Sequence, residues 1–305
     1  MDFPLPLILP YLQPSSLHCL CHVSLQFKKQ TLEYRPAIHL LLKERKITFL
    51  PTQSTVVDLR TTVADILLTP EHPKGANLDL DQLHVLLPPE PPLWKKKGTL
   101  GVERWQRSFV ATRWQQSGGQ NSSKLMELYN TFIVEVIKPL VRSFGETEFY
   151  YSKIPLLRTH FPAPPSLDRG GIDATTKKKS KRRGCKQPGV STQRHTDGRF
   201  GHPSGEFNVW LPLSKKVWGS NSLHRDASPW SGELTSSPFV LEYGDVAIFY
   251  GNQIPHQTIP NNTDMTRCSL DFRIVPGSLF EENYHRPIYA EPGKYYEKHV
   301  CCCTN

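Results

Sequence analysis

Thr266-Arg267-Cys268-Ser269-Leu270-Asp271-Phe272-Arg273 alternates residue by residue between polar and apolar side chains. Successive side chains of an extended strand point to opposite faces. Cys268, Leu270 and Phe272 therefore form one face, and Arg267, Ser269, Asp271 and Arg273 the other. Either the polar face is wetted by solvent, or it lines the inside of a barrel. Working outward, similar short runs cover 154–160, 191–197, 206–213, 238–241 and 245–250, and the strand itself extends to Val275. Gly, Pro, Asn and Asp separate them, a pattern of antiparallel strands joined by turns. The expected class is mainly β with flanking helices, built on a jelly-roll or cupin-like core.

One helix is expected. Between Lys124 and Phe144 the apolar residues Leu125, Leu128, Tyr129, Phe132, Ile133, Val136, Ile137, Leu140 and Val141 recur at helical spacing. Gly145 follows as a stop signal, and Pro139 should kink the helix or start a second short turn. Its aromatic residues are read as a packing face. Residues 1–123 have no motif of their own and are read as an extension that packs on the core as helices. The core spans 124–285 and includes a mobile basic loop at 162–190; residues 286–305 form a C-terminal tail.

The chain has 305 residues, with 38% hydrophobic and 21% charged side chains and a formal net charge of +9. This suits one large globular unit with an extension. Much of the positive excess lies in Lys177, Lys178, Lys179, Lys181, Arg182, Arg183 and Lys186, read as a solvated loop in preference to a polyanion-docking arm. The seven cysteines are odd in number and clumped, which argues against a disulfide-stapled secreted domain. His18-Cys19-Leu20-Cys21-His22 lacks the distant partner pair of a structural zinc site. The Cys301-Cys302-Cys303 trio does not fit a prenylation signal and has no physical account. Pro4, Pro6 and Pro10 interrupt the first apolar residues, which lack a basic leader, and no apolar stretch of about 18 residues exists to cross a bilayer. A cytoplasmic protein is expected.

The chemistry is carried by His195 and Asp197, two apart in a predicted strand and so able to reach one ion, and by His256, which follows the buried run 245–250. Two imidazoles and a carboxylate can hold one face of an octahedral metal and leave the other open, the arrangement of non-haem iron oxygenases. A rival tripeptide, His224-Arg225-Asp226, falls in an expected loop and is disfavoured. It also mimics a kinase catalytic loop, but the companion kinase motifs are missing. If the 266–275 strand lines the barrel, Arg267 and Ser269 are suited to grip a carboxylate.

The set His195-Thr196-Asp197, His256 and Arg267-Cys268-Ser269 resembles the iron(II)- and 2-oxoglutarate-dependent oxygenases. More narrowly, Leu157-Arg158-Thr159-His160-Phe161-Pro162, His195 through His202, and Glu206-Phe207-Asn208-Val209-Trp210-Leu211-Pro212 look like the phytanoyl-CoA dioxygenase superfamily, in its streptomycin-biosynthesis-type branch. The resemblance covers roughly residues 150 to 280. It implies a double-stranded β-helix in which His195, Asp197 and His256 bind Fe(II), with Arg267 and Ser269 holding the far carboxylate of 2-oxoglutarate. O2 is the second co-substrate, and 2-oxoglutarate is decarboxylated to succinate. A small residue replaces the aspartate in halogenating relatives, so Asp197 disfavours halogenation.

Asn208 is read as a co-substrate contact, the alternative being an outer hydrogen-bond network. Arg158, Arg273 and Trp210 are read as substrate contacts, although either arginine could equally be a structural ion-pair partner. His202 is read as a loop residue. These arginines point to a small carboxylate-bearing, amino-acid-derived metabolite, oxidised by hydroxylation or ring closure. Nucleic acid and membrane are not expected as partners, and the sequence does not set the oligomeric state. Oxidation of a protein or nucleic acid, and a non-catalytic metal-binding cupin-like protein, are the alternatives.

Overall fold

The computed structural model describes residues 45–48, 54–68, 79–86, 110, 122–163, 192–226 and 236–301. These residues are mainly β with a few helices. The central strand is the alternating run, β11 (Arg267–Pro276). On one side it pairs with β4 (Phe207–Pro212), and on the other with β3 (Leu156–His160) and then β2 (Glu148–Ser152). The sheet continues through β4 to β9 (Asp245–Phe249) and β1 (Arg45–Thr48), and through β2 to β12 (Tyr296–Val300). All of these pairings are antiparallel. A smaller layer is made by β10 (His256–Gln257), β6 (His224–Asp226) and β7 (Ser236–Pro238), together with the pair β5 (Lys216–Val217) and β8 (Leu241–Glu242).

Register places Leu270 opposite Leu211, Phe272 opposite Val209 and Ile274 opposite Phe207. This apolar face joins the main core, with Leu59 and Val63 of α1 (Ser54–Leu67) and with Tyr129 and Phe132 of α2 (Ser123–Phe132). Tyr129 and Phe132 meet Phe272 edge-on, with ring centroids 5.2 and 6.1 Å away. On the opposite face, Trp210, Ala247 and Phe249 pack with Val217, Leu223, Phe239 and Leu241 in a second, smaller core. Arg267, Ser269 and Arg273 lie on that same face and are buried, with relative exposures of 3%, 0% and 6%. The solvent-wetted alternative for the polar face therefore fails.

The expected helix is present in two pieces. After α2, Ile133–Ile137 forms a π turn, and α3 (Lys138–Ser143) completes it. Pro139 has no N–H to donate to the Glu135 carbonyl, and its ring crowds that turn; widening the preceding backbone accommodates it without ending the helix. The side chain of Ser122 caps the start by accepting from the Leu125 N–H at 3.3 Å. Gly145, at φ +81°, closes the end and donates to the Arg142 carbonyl at 2.9 Å. Replacing Ser122 by alanine should lower stability by about 1 kcal/mol, measured by urea unfolding, and leave the opposite sheet face unchanged.

Several expectations are corrected. Over the described part of the run 191–197 there is no continuous strand: His195 makes a single bridge with His256, and Asp197–Phe200 is a 3₁₀ turn. His224–Asp226 is no loop but β6, paired with both β10 and β7. The run 238–241 divides between β7 and β8. Within the segment read as a tail, Tyr296–Val300 forms β12 in the main sheet. The His18–His22 cluster, the basic run 177–186, Cys185, Cys302 and Cys303 lie outside the described residues. Among the described residues, no helix is long and apolar enough to cross a membrane.

Candidate metal centre

The backbone brings the predicted ligands together. His195 and His256 exchange N–H···O bonds of 3.1 and 2.9 Å, so two distant segments are locked side by side. Their rings lie 4.3 Å apart between centroids. Thr196 is extended, and the Asp197 N–H donates to the Gly251 carbonyl at 2.9 Å as the chain turns into the 3₁₀ segment. Asp197 Oδ1 thereby comes to 3.3 Å from His195 Nε2 and 3.5 Å from His256 Nε2. One ligand atom from each residue lies within 4.8 Å of the others.

The outer contacts set the protonation of the rings. His195 Nδ1 is 2.6 Å from the Gln193 carbonyl, and His256 Nδ1 is 3.0 Å from that of Ile254. A carbonyl only accepts, so each Nδ1 carries a proton and Nε2 is the ring nitrogen turned toward Asp197. Burial pushes the His256 imidazole below its ordinary range, overcoming the pull of Asp197 and keeping the ring neutral at pH 7. Two imidazole nitrogens and a carboxylate oxygen thus converge on one point, where a single cation could be shared by all three. Two imidazoles and one carboxylate suit a first-row transition metal better than magnesium or calcium, which favour oxygen-only cages. No fourth His, Cys, Asp or Glu joins the group among the described residues, as expected of an open site rather than a closed structural one.

Asp197 is held from behind. Its Oδ2 accepts from Asn208 Nδ2 at 2.9 Å and lies 3.0 Å from Arg273 Nη2. Burial alone would raise this carboxyl, but the neighbouring Arg273 guanidinium leads the contacts that keep it well below the usual carboxylate range. Gly251 makes room for the arrangement, because a Cβ there would sit 2.4 Å from Asn208 Oδ1. Asn208 thus orients a predicted metal ligand, which places it in the hydrogen-bond network considered as the alternative. It does so from the inner sheet face, where Trp210 also lies.

Arg273 is not a free substrate clamp. It is buried among Asp197, Glu206 and Asp271, so its charge is already matched inside the protein. Arg158 differs: its side chain is 50% exposed, and it lies 3.7 Å from Asp271 on the inner face. Trp210 is 2% exposed, and its ring lies 5.5 Å from the Arg267 guanidinium carbon.

Arg267 has no carboxylate partner among the described residues. Its Nη1 donates to the Asn221 carbonyl at a long 3.4 Å, and its buried Nε has no hydrogen-bond partner. Burial lowers it to about 10, so it remains charged near neutrality. Ser269, two positions along the same face, has a buried Oγ that is also without a partner. Beside Arg267, His160 is driven down to about 3 by burial and by that guanidinium, and donates to the Ile259 carbonyl at 2.8 Å. This face therefore presents one buried positive charge and a hydroxyl without a hydrogen-bond partner.

Sequence reading missed Phe200, which is 57% exposed and edge-on to the His195 ring at 5.2 Å. It also missed the pairing of His202 with Glu206, where Nδ1 and Oε1 are 2.7 Å apart. The i,i+4 spacing of these two residues was the available signal.

No protein-family model matches the sequence. Over 107 residues, 34% of this chain, it is 36% identical to the streptomycin biosynthesis protein StrG of Streptomyces griseus, and the match covers 49% of that protein. The chain therefore spans about half the length of this relative. This similarity bears out the streptomycin-biosynthesis-type resemblance read from the motifs. Solved structures with a similar arrangement include AviO1 from Streptomyces viridochromogenes Tue57, at a TM-score of 0.36 and 12% identity over 77% of this chain and 90% of that one. Another is HygX from Streptomyces hygroscopicus with nickel and 2-oxoglutarate bound, at 0.27 and 12% over 50% and 68% of the two chains. At these TM-scores the overlap is too loose to assign an activity.

Proposed function

We propose that the chain is an Fe(II)- and 2-oxoglutarate-dependent oxygenase with a double-stranded β-helix core over residues 124–285, to which β1, α1 and β12 add from either end. The observation that carries this reading is Arg267, a buried cation without a carboxylate partner among the described residues, on the sheet face that also presents Asn208 and Arg273 to Asp197. A buried unmatched charge is expensive, so the site is built for an anion that arrives from outside.

In this reading His195, Asp197 and His256 hold the iron. Asn208 and Arg273 fix the Asp197 carboxylate, and the two backbone carbonyls fix the imidazole tautomers. Arg267 and Ser269 hold the distal carboxylate of 2-oxoglutarate, while Trp210 packs beside the guanidinium and keeps water from it. When bound, iron, 2-oxoglutarate and O2 supply the oxidant, with 2-oxoglutarate leaving as succinate and carbon dioxide. Arg158, half-exposed on the inner face, is a further cation that could orient a carboxylate of the substrate. We infer a small polar metabolite, undergoing hydroxylation or ring closure. The biosynthetic name of the relative supports a natural-product pathway, and Asp197 keeps the carboxylate that halide transfer would displace.

The test is succinate formation, followed by mass spectrometry, in the presence of Fe(II), ascorbate, 2-oxoglutarate and a panel of polar metabolites with and without carboxylates. A carboxylate-bearing compound should raise succinate at least about tenfold over the substrate-free rate, the gain from productive positioning. Stimulation only by neutral lipids or acyl-CoA esters would remove the Arg158 clamp. Iron uptake with no succinate under any condition would leave a non-catalytic metal-binding protein.

A further inference from the structure

Arg273 sits at the junction of three acidic side chains, Asp271 of its own strand and the distant Asp197 and Glu206. Its Nη2 is 3.0 Å from Asp197 Oδ2 and its Nε is 3.2 Å from Glu206 Oε1, while Nη1 donates to Asp271 Oδ1. Glu206 is fully buried, at 0% exposure, and continues the chain of contacts away from the triad. Its Oε1 lies 2.7 Å from His202 Nδ1, and its Oε2 accepts from the Tyr296 hydroxyl. Tyr296 is itself 0% exposed, belongs to β12 and is wedged against Tyr295, with ring centroids 4.7 Å apart. Burial and the neighbouring Glu206 push its phenol well above the ordinary range, so it remains a donor at any physiological pH.

We propose that Glu206 and Tyr296 are positioning residues of the metal centre, acting through Arg273 on the ligand Asp197. The inference rests on the reading of His195, Asp197 and His256 as metal ligands. A carboxylate that offers one oxygen to a metal must have the other pinned, and Asp197 Oδ2 is pinned by Asn208 and Arg273. Arg273 in turn holds its place only while it is drawn equally from the far side. Glu206 supplies that counter-pull, and the Tyr296 hydroxyl fixes the direction of the Glu206 carboxylate. If Glu206 loses its charge, the guanidinium is drawn toward Asp197 and competes with a cation for the same negative charge.

Charge counting agrees. Three carboxylates, Asp197, Glu206 and Asp271, meet two guanidinium groups, Arg273 and Arg158, so the cluster leans negative, in the sense that a cation at the triad would offset. Arg158 adds only a half-exposed, solvent-screened charge at the edge of this group. The strand that closes the sheet at the far edge is thereby coupled to the metal ligands.

The experiment is titration of the full chain with Co(II), following affinity and the visible absorption spectrum, with thermal unfolding recorded separately. Glu206→Gln should weaken Co(II) binding by about 10- to 100-fold, the usual effect of losing an outer partner of a ligand, and should change the spectrum because a guanidinium drawn closer to Asp197 alters how that carboxylate meets the ion. Tyr296→Phe removes a single hydroxyl and should weaken binding by about tenfold, as for a hydrogen bond to a charged group. This milder variant decides the matter if Glu206→Gln does not fold. Ser122→Ala, on the covered side of the sheet, serves as the stability control and should lower the unfolding temperature without altering affinity or spectrum. Wild-type affinity and spectrum in Glu206→Gln or, where that does not fold, in Tyr296→Phe would overturn the proposal while leaving the metal site standing. Failure of the wild-type chain to bind Co(II), or binding unaffected by His195→Ala, would instead overturn the metal-site reading and this inference with it.

Discussion

Replacing His256 with alanine should lower Fe(II) affinity and 2-oxoglutarate turnover by more than about 100-fold, since loss of a mere outer partner already costs up to that much. The fold should survive, because the contact between the two ligand segments is made by backbone groups: the N–H of each histidine donates to the carbonyl of the other, whatever side chain is attached. Loss of function with retained structure is therefore the expected signature. Metal affinity measured by equilibrium dialysis, together with circular dichroism of the same sample, separates it from unfolding. His224→Ala is the informative comparison, since His224 belongs to the rival His-Arg-Asp tripeptide. Its Nε2 lies 2.8 Å from the Gly219 carbonyl, and Asp226 is taken by Arg194. His224→Ala should leave metal affinity within about threefold, the size of a small local perturbation. Should His256→Ala bind iron as the unaltered chain does, the triad is not the metal site.

The strand that decided the fold was legible because its period is short and its register unforgiving. Shifting 266–273 by one residue would turn Arg267 and Arg273 into the helix-covered apolar core and put Leu270 and Phe272 on the face that meets Asp197 and Asn208. The ligand pair was legible for a narrower reason than the one first given. His195 and Asp197 need only one extended residue between them, and Thr196 provides it at φ −110° and ψ 148°; no continuous strand is required. The ladder stops there because the Asp197 N–H turns to Gly251 and the next residues coil.

Long-range pairing was what local pattern could not supply. His224–Asp226 is flanked by Ser, Asn and Gly, a loop composition, yet it is held in place by Gln257 on one side and Ser237 on the other. Tyr296–Val300 buries little beyond Tyr296, so its sequence carries almost no strand signal. Arg273 is the clearest case. Its inward direction and its neighbour Asp271 follow from the alternation, but Asp197 and Glu206 are far away in the sequence, and only the folded chain shows that they too are matched to its charge.

Arg267 is the opposite case, and it leads to the second large effect. Arg267→Met should make the protein more stable in the absence of 2-oxoglutarate and at the same time weaken 2-oxoglutarate binding by about 100-fold or more. The first part follows from desolvation. Removing an ion from water costs several kcal/mol, and replacing buried charges with apolar groups of similar volume often gains about 1–4 kcal/mol. The contacts sacrificed are modest: the Trp210 ring at 5.5 Å, worth about 0.5–2 kcal/mol, and one long bond to the Asn221 carbonyl. The sign should therefore favour methionine, seen as a higher urea midpoint without co-substrate. The second part follows from the same isolation. A carboxylate brought to Ser269 would be buried without a counter-charge, and breaking such a pair costs about 3–5 kcal/mol, or roughly 100- to 5,000-fold in affinity. Arg267→Lys should fall between the two, because it keeps the charge but loses the planar fork. The two readouts move in opposite directions, which a purely structural arginine would not produce. A variant that is less stable and yet keeps the unaltered KM for 2-oxoglutarate would make Arg267 a scaffold residue and take away the main support for the oxygenase reading.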